Sequence, residues 1–210
     1  IRVINDGAQA EMRLDKTAAQ VTTNAHGQYC EAAMQGKLFS VGMGQTALSA
    51  NTITLTATTT PIVGVWNPLN SDVNLVLLKA KLQIAVAGNS AVAPGAFVWA
   101  VSTNNGAIST GLNPLNRKTL QQTGSRAKGY NISTALTGLT TNLVIQHAAA
   151  FGTLVAAQGA TASPIISGDA VEEFDGSIII PPGGVLALLN TISTTTVSVA
   201  SMLLWEEIPL

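Results

Sequence analysis

The sequence predicts an all-β fold: a jelly-roll-like two-sheet sandwich carrying an extended N-terminal arm with a short helix. Three observations predict it. Apolar and polar residues alternate with a period of two over several short runs, the pattern of half-buried strands. Clusters of Asn, Pro, Gly and Ser separate those runs, and these are turn formers. No strand–helix alternation exists, which argues against a parallel α/β sheet.

The first 50 residues differ from the rest of the 210-residue chain. They carry Arg2, Asp6, Glu11, Arg13, Asp15, Lys16, Glu31 and Lys37, and clear strand alternation is absent before Thr52. From His26 to Lys37 (HGQYCEAAMQGK), Tyr29, Ala32, Ala33 and Gly36 recur at three-to-four spacing. That spacing predicts a short helix, with Gly36 as its stop. Leu38, Phe39 and Val41 follow as an apolar patch. Disordered tails are poor in such residues. The expected organisation is therefore an arm over 1–50, docked on another surface, and a sandwich over 51–210.

Within the sandwich, Thr52–Thr58 alternates hydroxyl and apolar side chains and predicts the first strand, which Pro61 ends. Ile62–Trp66 predicts a second, before the turn cluster Asn67-Pro68-Leu69-Asn70-Ser71-Asp72. In the next strand Val76, Leu78, Ala80, Leu82, Ile84 and Val86 form one face, expected to be core. Leu75, Leu77, Lys79, Lys81, Gln83 and Ala85 form the other, with Leu75 and Leu77 expected against the arm or a neighbouring subunit. After a loop at Gly88-Asn89-Ser90, Gly95–Ser102 (GAFVWAVS) predicts another strand.

Thr103–Gly129 reads as a long solvated loop with one short strand, and it holds Arg117, Lys118, Arg126 and Lys128. Strands are expected again at Asn131–Ala135 and Leu143–Phe151, with Gly159–Ser163 as a flexible stretch. Gly176–Ile180, Pro181-Pro182-Gly183-Gly184 and Val185–Leu189 predict strand, tight turn and strand. Thr195–Trp205 predicts the last strand, apolar on both faces near its end as a central sandwich strand would be. About eight to ten short strands with some long connections favour a jelly roll over simple hairpins. No fixed repeat period points to a propeller or solenoid.

Composition bears on function. Hydrophobic residues make up 47% of the chain but aromatics only 4%, and charged residues 10%. Ordinary soluble domains carry about 25% charge. A surface this poor in charge suits extensive protein–protein contact, including contact with copies of itself. The net charge of −1 and the lack of a basic stripe exclude nucleic acid as the expected partner. No uninterrupted apolar window predicts a membrane-spanning helix, because Lys79, Lys81 and Gln83 break the longest run. Nor does the N-terminus show a basic-then-apolar signal pattern.

Chemistry is sparse. Cys30 has no second cysteine to bridge and reads as a helix residue rather than a reactive thiol. His26 and His147 are far apart in sequence and lack the neighbours that a metal site needs. Asp169, Glu172, Glu173 and Asp175 could serve as paired carboxylates or bind calcium. Trp66, Trp99 and Trp205 all lie in or at the end of predicted strands, so no aromatic platform accompanies that cluster. No nucleophile elbow, phosphate-binding loop or CxxC occurs. The expectation is a non-enzymatic chain with no catalytic residues, cofactor or metal.

Four segments carry a family resemblance: His26–Phe39, Val65–Lys79, Asp175–Gly184 (DGSIIIPPGG) and Leu204–Pro209 (LWEEIP). Together they resemble virion structural proteins of tailed bacteriophages, the kind with an N-terminal arm and a jelly-roll domain. The resemblance spans nearly the whole chain and none of its motifs is catalytic. It implies a capsid decoration or cement protein on the outer head surface, often trimeric, bridging subunits of the major capsid protein. The alternative is a tail-associated or host-adsorption protein that binds glycans. In either role the arm reaches a neighbour, which makes Tyr29, Leu38, Phe39 and Val41 the candidate partner-binding residues.

Overall fold

A computed structural model describes residues 29–47, 58–59, 61–86, 96–108, 110–131, 134–139, 143–150, 166–190 and 197–210. One helix, α1 (Cys30–Met34), precedes thirteen described strands: β1 (Leu38–Ala47), β2 (Thr58–Thr59), β3 (Val63–Trp66), β4 (Val73–Val86), β5 (Ala96–Ser102), β6 (Leu115–Asn116), β7 (Lys128–Asn131), β8 (Leu136–Thr137), β9 (Val144–Ala150), β10 (Ile166–Glu173), β11 (Ile179–Ile180), β12 (Val185–Asn190) and β13 (Val197–Pro209). Most of the arm, the strand predicted over 52–57, the 88–90 loop and the 159–163 stretch lie outside the described residues, as does His26.

Eleven of these strands form two antiparallel sheets packed as a sandwich, and β2 pairs separately with β8. The first has the order β10-β4-β13-β1-β6, with β11 also paired to β4; the second runs β7-β3-β12-β5-β9. The long pairings are nested: β1 with β13, β3 with β12, β4 with β10 and β5 with β9. One long antiparallel ribbon, wound so that successive pairs fall in alternate sheets, gives this order. That order is compatible with the jelly-roll-like arrangement expected from the long connections.

Between the sheets lies the main core, including Phe39, Val41, Val63, Val65, Leu75, Leu77, Phe97, Trp99, Leu186, Leu203 and Trp205. Trp99 meets Phe174 edge to face with ring centroids 5.4 Å apart, a favoured aromatic geometry. β13 is central in its sheet, which accounts for its apolar residues on both faces.

Four expectations change. First, β1 is a strand although its alternation is hard to read. Phe39, Val41 and Met43 point into the core, while the opposite face offers Leu38, Ser40 and Gly42 rather than charged residues. Residues 29–47 are therefore built into the sandwich.

Second, the faces of β4 swap partway along. The pairing with β13 steps from Leu204↔Lys79 to Trp205↔Leu77, leaving Leu78 as the extra residue of a bulge. Leu75 and Leu77 consequently join the main core with Ala80 and Leu82. Val76 and Leu78 turn outward to meet Tyr29 and Ala33 of the helical segment. On the other side of β4, the Leu78 carbonyl accepts hydrogen bonds from the backbone N–H groups of Phe174 (2.9 Å) and Asp175 (3.0 Å), so the bulge is satisfied.

Third, the loop expected over 103–129 is solvated only in part: residues 117–124 are exposed, whereas Asn105, Asn116, Ala127 and Gly129 are buried. Ile108, Tyr130, Leu136, Leu139 and Leu143 pack on the outer face of the second sheet, over Trp66, Val98, Ala100, Val185, Ala187 and Leu189. The same region adds β6 beside β1 and β7 beside β3, covering both edges on one flank. Gly129 makes this possible, since a Cβ there would lie 2.6 Å from a methyl of Val41. The strand expected at 131–135 lies earlier, as β7.

Fourth, Pro181–Gly184 is a tight turn, but it joins strands of different sheets: β11 pairs with β4, whereas β12 pairs with β3 and β5. Gly183 has φ +81° and the Gly184 N–H donates to the Pro181 carbonyl at 2.9 Å. Pro182 and Gly183 thus hold the two central positions of a type II turn.

Candidate interaction face

The four residues expected to bind a partner sit inside the chain's own fold or at its border. Phe39 and Val41 belong to the main core, and Leu38 is buried with Leu78 and Leu204. Tyr29 is half-buried, at φ +65° just before α1, and its hydroxyl donates to the Asp175 carboxylate. Burial, that hydrogen bond and the charges of Asp175 and Glu173 push the Tyr29 phenol up from 10.0 to about 12. Gly36 closes the helix as expected, at φ +75°, with the Lys37 N–H donating to the Ala32 carbonyl at 3.0 Å.

Among the described residues the carboxylates are taken up separately. Glu173 pairs with Lys79 at 2.5 Å, Asp175 is engaged by Tyr29, and the Asp169 side chain lies outside the described residues. Among the described residues no group of three metal-capable side chains comes together. Cys30 is half-buried and free, and the His147 side chain is not among those described.

Sequence reasoning missed three polar residues because their neighbours look like ordinary turn chemistry. Asn67 is fully buried and donates from Nδ2 to the carbonyls of Val73 (2.8 Å) and Ile180 (3.0 Å). Asn105, also buried, donates to Ser102 Oγ at 3.1 Å and the Gly183 carbonyl at 3.3 Å, while its own carbonyl accepts from Trp66 Nε1. Glu207 is a buried carboxylate that accepts from Ser125 Oγ at 2.5 Å and the Arg126 N–H at 3.1 Å. These contacts tie loops to strands. The residues at 67, 105 and 207 serve the fold rather than a substrate.

Among the described residues, part of the outer face of the first sheet stands exposed. Directly paired residues share a face, so Val171, Lys81, Met202 and Gly42 form one row across four strands. Glu173, Lys79, Leu204, Ser40 and Leu115 form the next. Helix α1 covers only one end of this face, through Leu38, Leu78 and Leu204. Val171 is 45% exposed, Gly42, Lys81 and Gln83 are exposed, and Met202 and Ala200 are half-exposed. Beside β6 the face dips into a groove of about 320 Å³ that includes Gly42, Leu112, Leu115, Arg117, Gln122 and Met202.

The cations of the 103–129 region divide into two kinds. Arg126 pairs with Asp72 at 3.1 Å, and Lys128 donates to Asn113 Oδ1 at 2.7 Å. Arg117 and Lys118 have no ion pair among the described residues, nor does Lys37, whose segment is joined to theirs by backbone hydrogen bonds. No helix among the described residues is long and apolar enough to cross a membrane. Comparison with known proteins finds no matching family model, curated protein or solved structure.

Proposed function

We propose that this chain is a virion structural protein of the capsid decoration or cement kind, which binds the outer head surface and bridges capsid subunits. One observation carries the reading: among the described residues the outer face of the second sheet is covered by a second core, whereas on the outer face of the first sheet Val171, Lys81, Gln83 and Gly42 stand exposed. An exposed face on which Val171 and Met202 flank Lys81 mixes apolar and charged surface, as interfaces between proteins do. The scarcity of charge over the whole chain supports the same role, as does the resemblance of its arm, turn and C-terminal segments to phage virion proteins. The partners are then the major capsid protein and further copies of this chain, and the place of work is the phage head.

Cross-linking mass spectrometry on intact particles tests this reading. Lys79 and Lys81 are expected to cross-link to the major capsid protein. Cross-links to tail proteins instead would move the chain to the adsorption role, and its absence from purified particles would overturn the virion role altogether.

A further inference from the structure

The first sheet carries opposite charge at its two edges. At the β10 edge lie Glu172 and Glu173, with Asp175 just beyond; Lys79, paired with Glu173, and Lys81, opposite Val171, offset part of that charge. At the β6 edge lie Arg117 and Lys118, with Lys37 on the adjoining segment, and none of these has an ion pair among the described residues. In a chain with only 10 Lys and Arg, three gathered without partners form a strong local field.

The relief of the two edges matches as well. Val171 stands exposed on the outer face of β10, with Glu173 two residues on and pointing the same way. In the same row, at the far edge, Gly42 floors the groove beside β6. Gly42 has no positive φ, but a Cβ there would lie 3.1 Å from the Ser201 carbonyl oxygen of the neighbouring strand, so the bare backbone that floors the groove is set by close packing of β1 on β13. Leu115 and Met202 border the groove, and Arg117 lines it as its cation.

We propose that copies of this chain associate head to tail through these two edges. Val171 of one copy enters the groove over Gly42 of the next, and Glu173 reaches Arg117. A contact in which one copy gives its knob and the next its groove, with the knob of the second left free, is heterologous and propagates from copy to copy. The proposal rests on the assembly role above and names one partner within it.

Sedimentation of the full chain at low and high salt tests the contact. The wild type is expected to self-associate, more weakly at high salt because exposed charges are screened. Arg117→Glu and Glu173→Arg should each weaken association by about tenfold or more, as reversal of a matched charge does. The double exchange of both should restore it. Val171→Asp, which leaves the Lys79–Glu173 pair in place, should also disperse the assembly. Circular dichroism and melting establish that each variant is folded. A monomeric wild type, folded single variants that associate as the wild type does, or a folded double exchange that fails to recover would overturn the contact. If the wild type is monomeric yet still cross-links to the particle, this contact fails while the assembly role stands.

Discussion

The two sheets share a core and differ on their outer faces. On the second sheet, β12 is buried along its whole length because the 103–143 region supplies a third layer over it. On the first sheet, β13 is equally central, yet Met202 and Ala200 on its outer side are half-exposed, and among the described residues only α1 lies over one end. The same kind of strand thus has two fates. Where the chain needs stability alone, it brings its own cover. Where a sheet face stands exposed among the described residues, another molecule is the natural cover.

Matched substitutions break or sharpen the comparison. Ala187 is fully buried on the outer face of the second sheet. Ala187→Asp should cost about 3–5 kcal/mol, the penalty of an uncompensated buried charge, and urea denaturation should find the chain largely unfolded. Leu136, fully buried in the covering layer, should cost about 2–5 kcal/mol on truncation to Ala. If the layer is integral, that loss appears as a shift of a single transition; a separate early transition would mean that the layer folds by itself.

Gly129→Ala should cost about 1–3 kcal/mol by forcing Val41 away from the covered flank, which a lowered melting temperature would report. Tyr29→Phe should cost about 1 kcal/mol, a typical net hydrogen bond. Its pH dependence has a definite sign. A phenol whose folded value is raised contributes in full below its unfolded value of 10.0 and loses that contribution as the pH climbs to about 12. The stability gap between wild type and Tyr29→Phe should close over that window. Burial raises Tyr130 in the same direction in both chains, so the difference isolates Tyr29. Smallest of all, Ala200→Asp on the exposed face should change stability by about 0.5 kcal/mol or less, as surface substitutions do.

Much of the fold was legible because strand periodicity and turn chemistry are local. Ile62–Trp66, Gly95–Ser102 and Leu143–Phe151 each landed within a residue of β3, β5 and β9. Three things were not local. The bulge at Leu78 reverses which residues face inward, and nothing in an unbroken apolar run announces it. β1 escaped notice because Gly42 gives its outer side no polar signal. The covering layer hides its five apolar residues among turn formers, so only the tertiary fold reveals that they share a surface. The candidate face was less legible still. The residues first expected to bind, Leu38, Phe39 and Val41, are apolar because they are buried, whereas those on the open face are unremarkable singly and gain meaning from the row they form.

Oxidative footprinting of methionines tests the central claim most directly, comparing the isolated chain with the assembled particle. Met202 lies on the exposed face and Met43 in the core. The account predicts that Met202 is oxidised readily in the isolated chain and protected on assembly, while Met43 is protected in both. Equal oxidation of Met202 in the two states would contradict it.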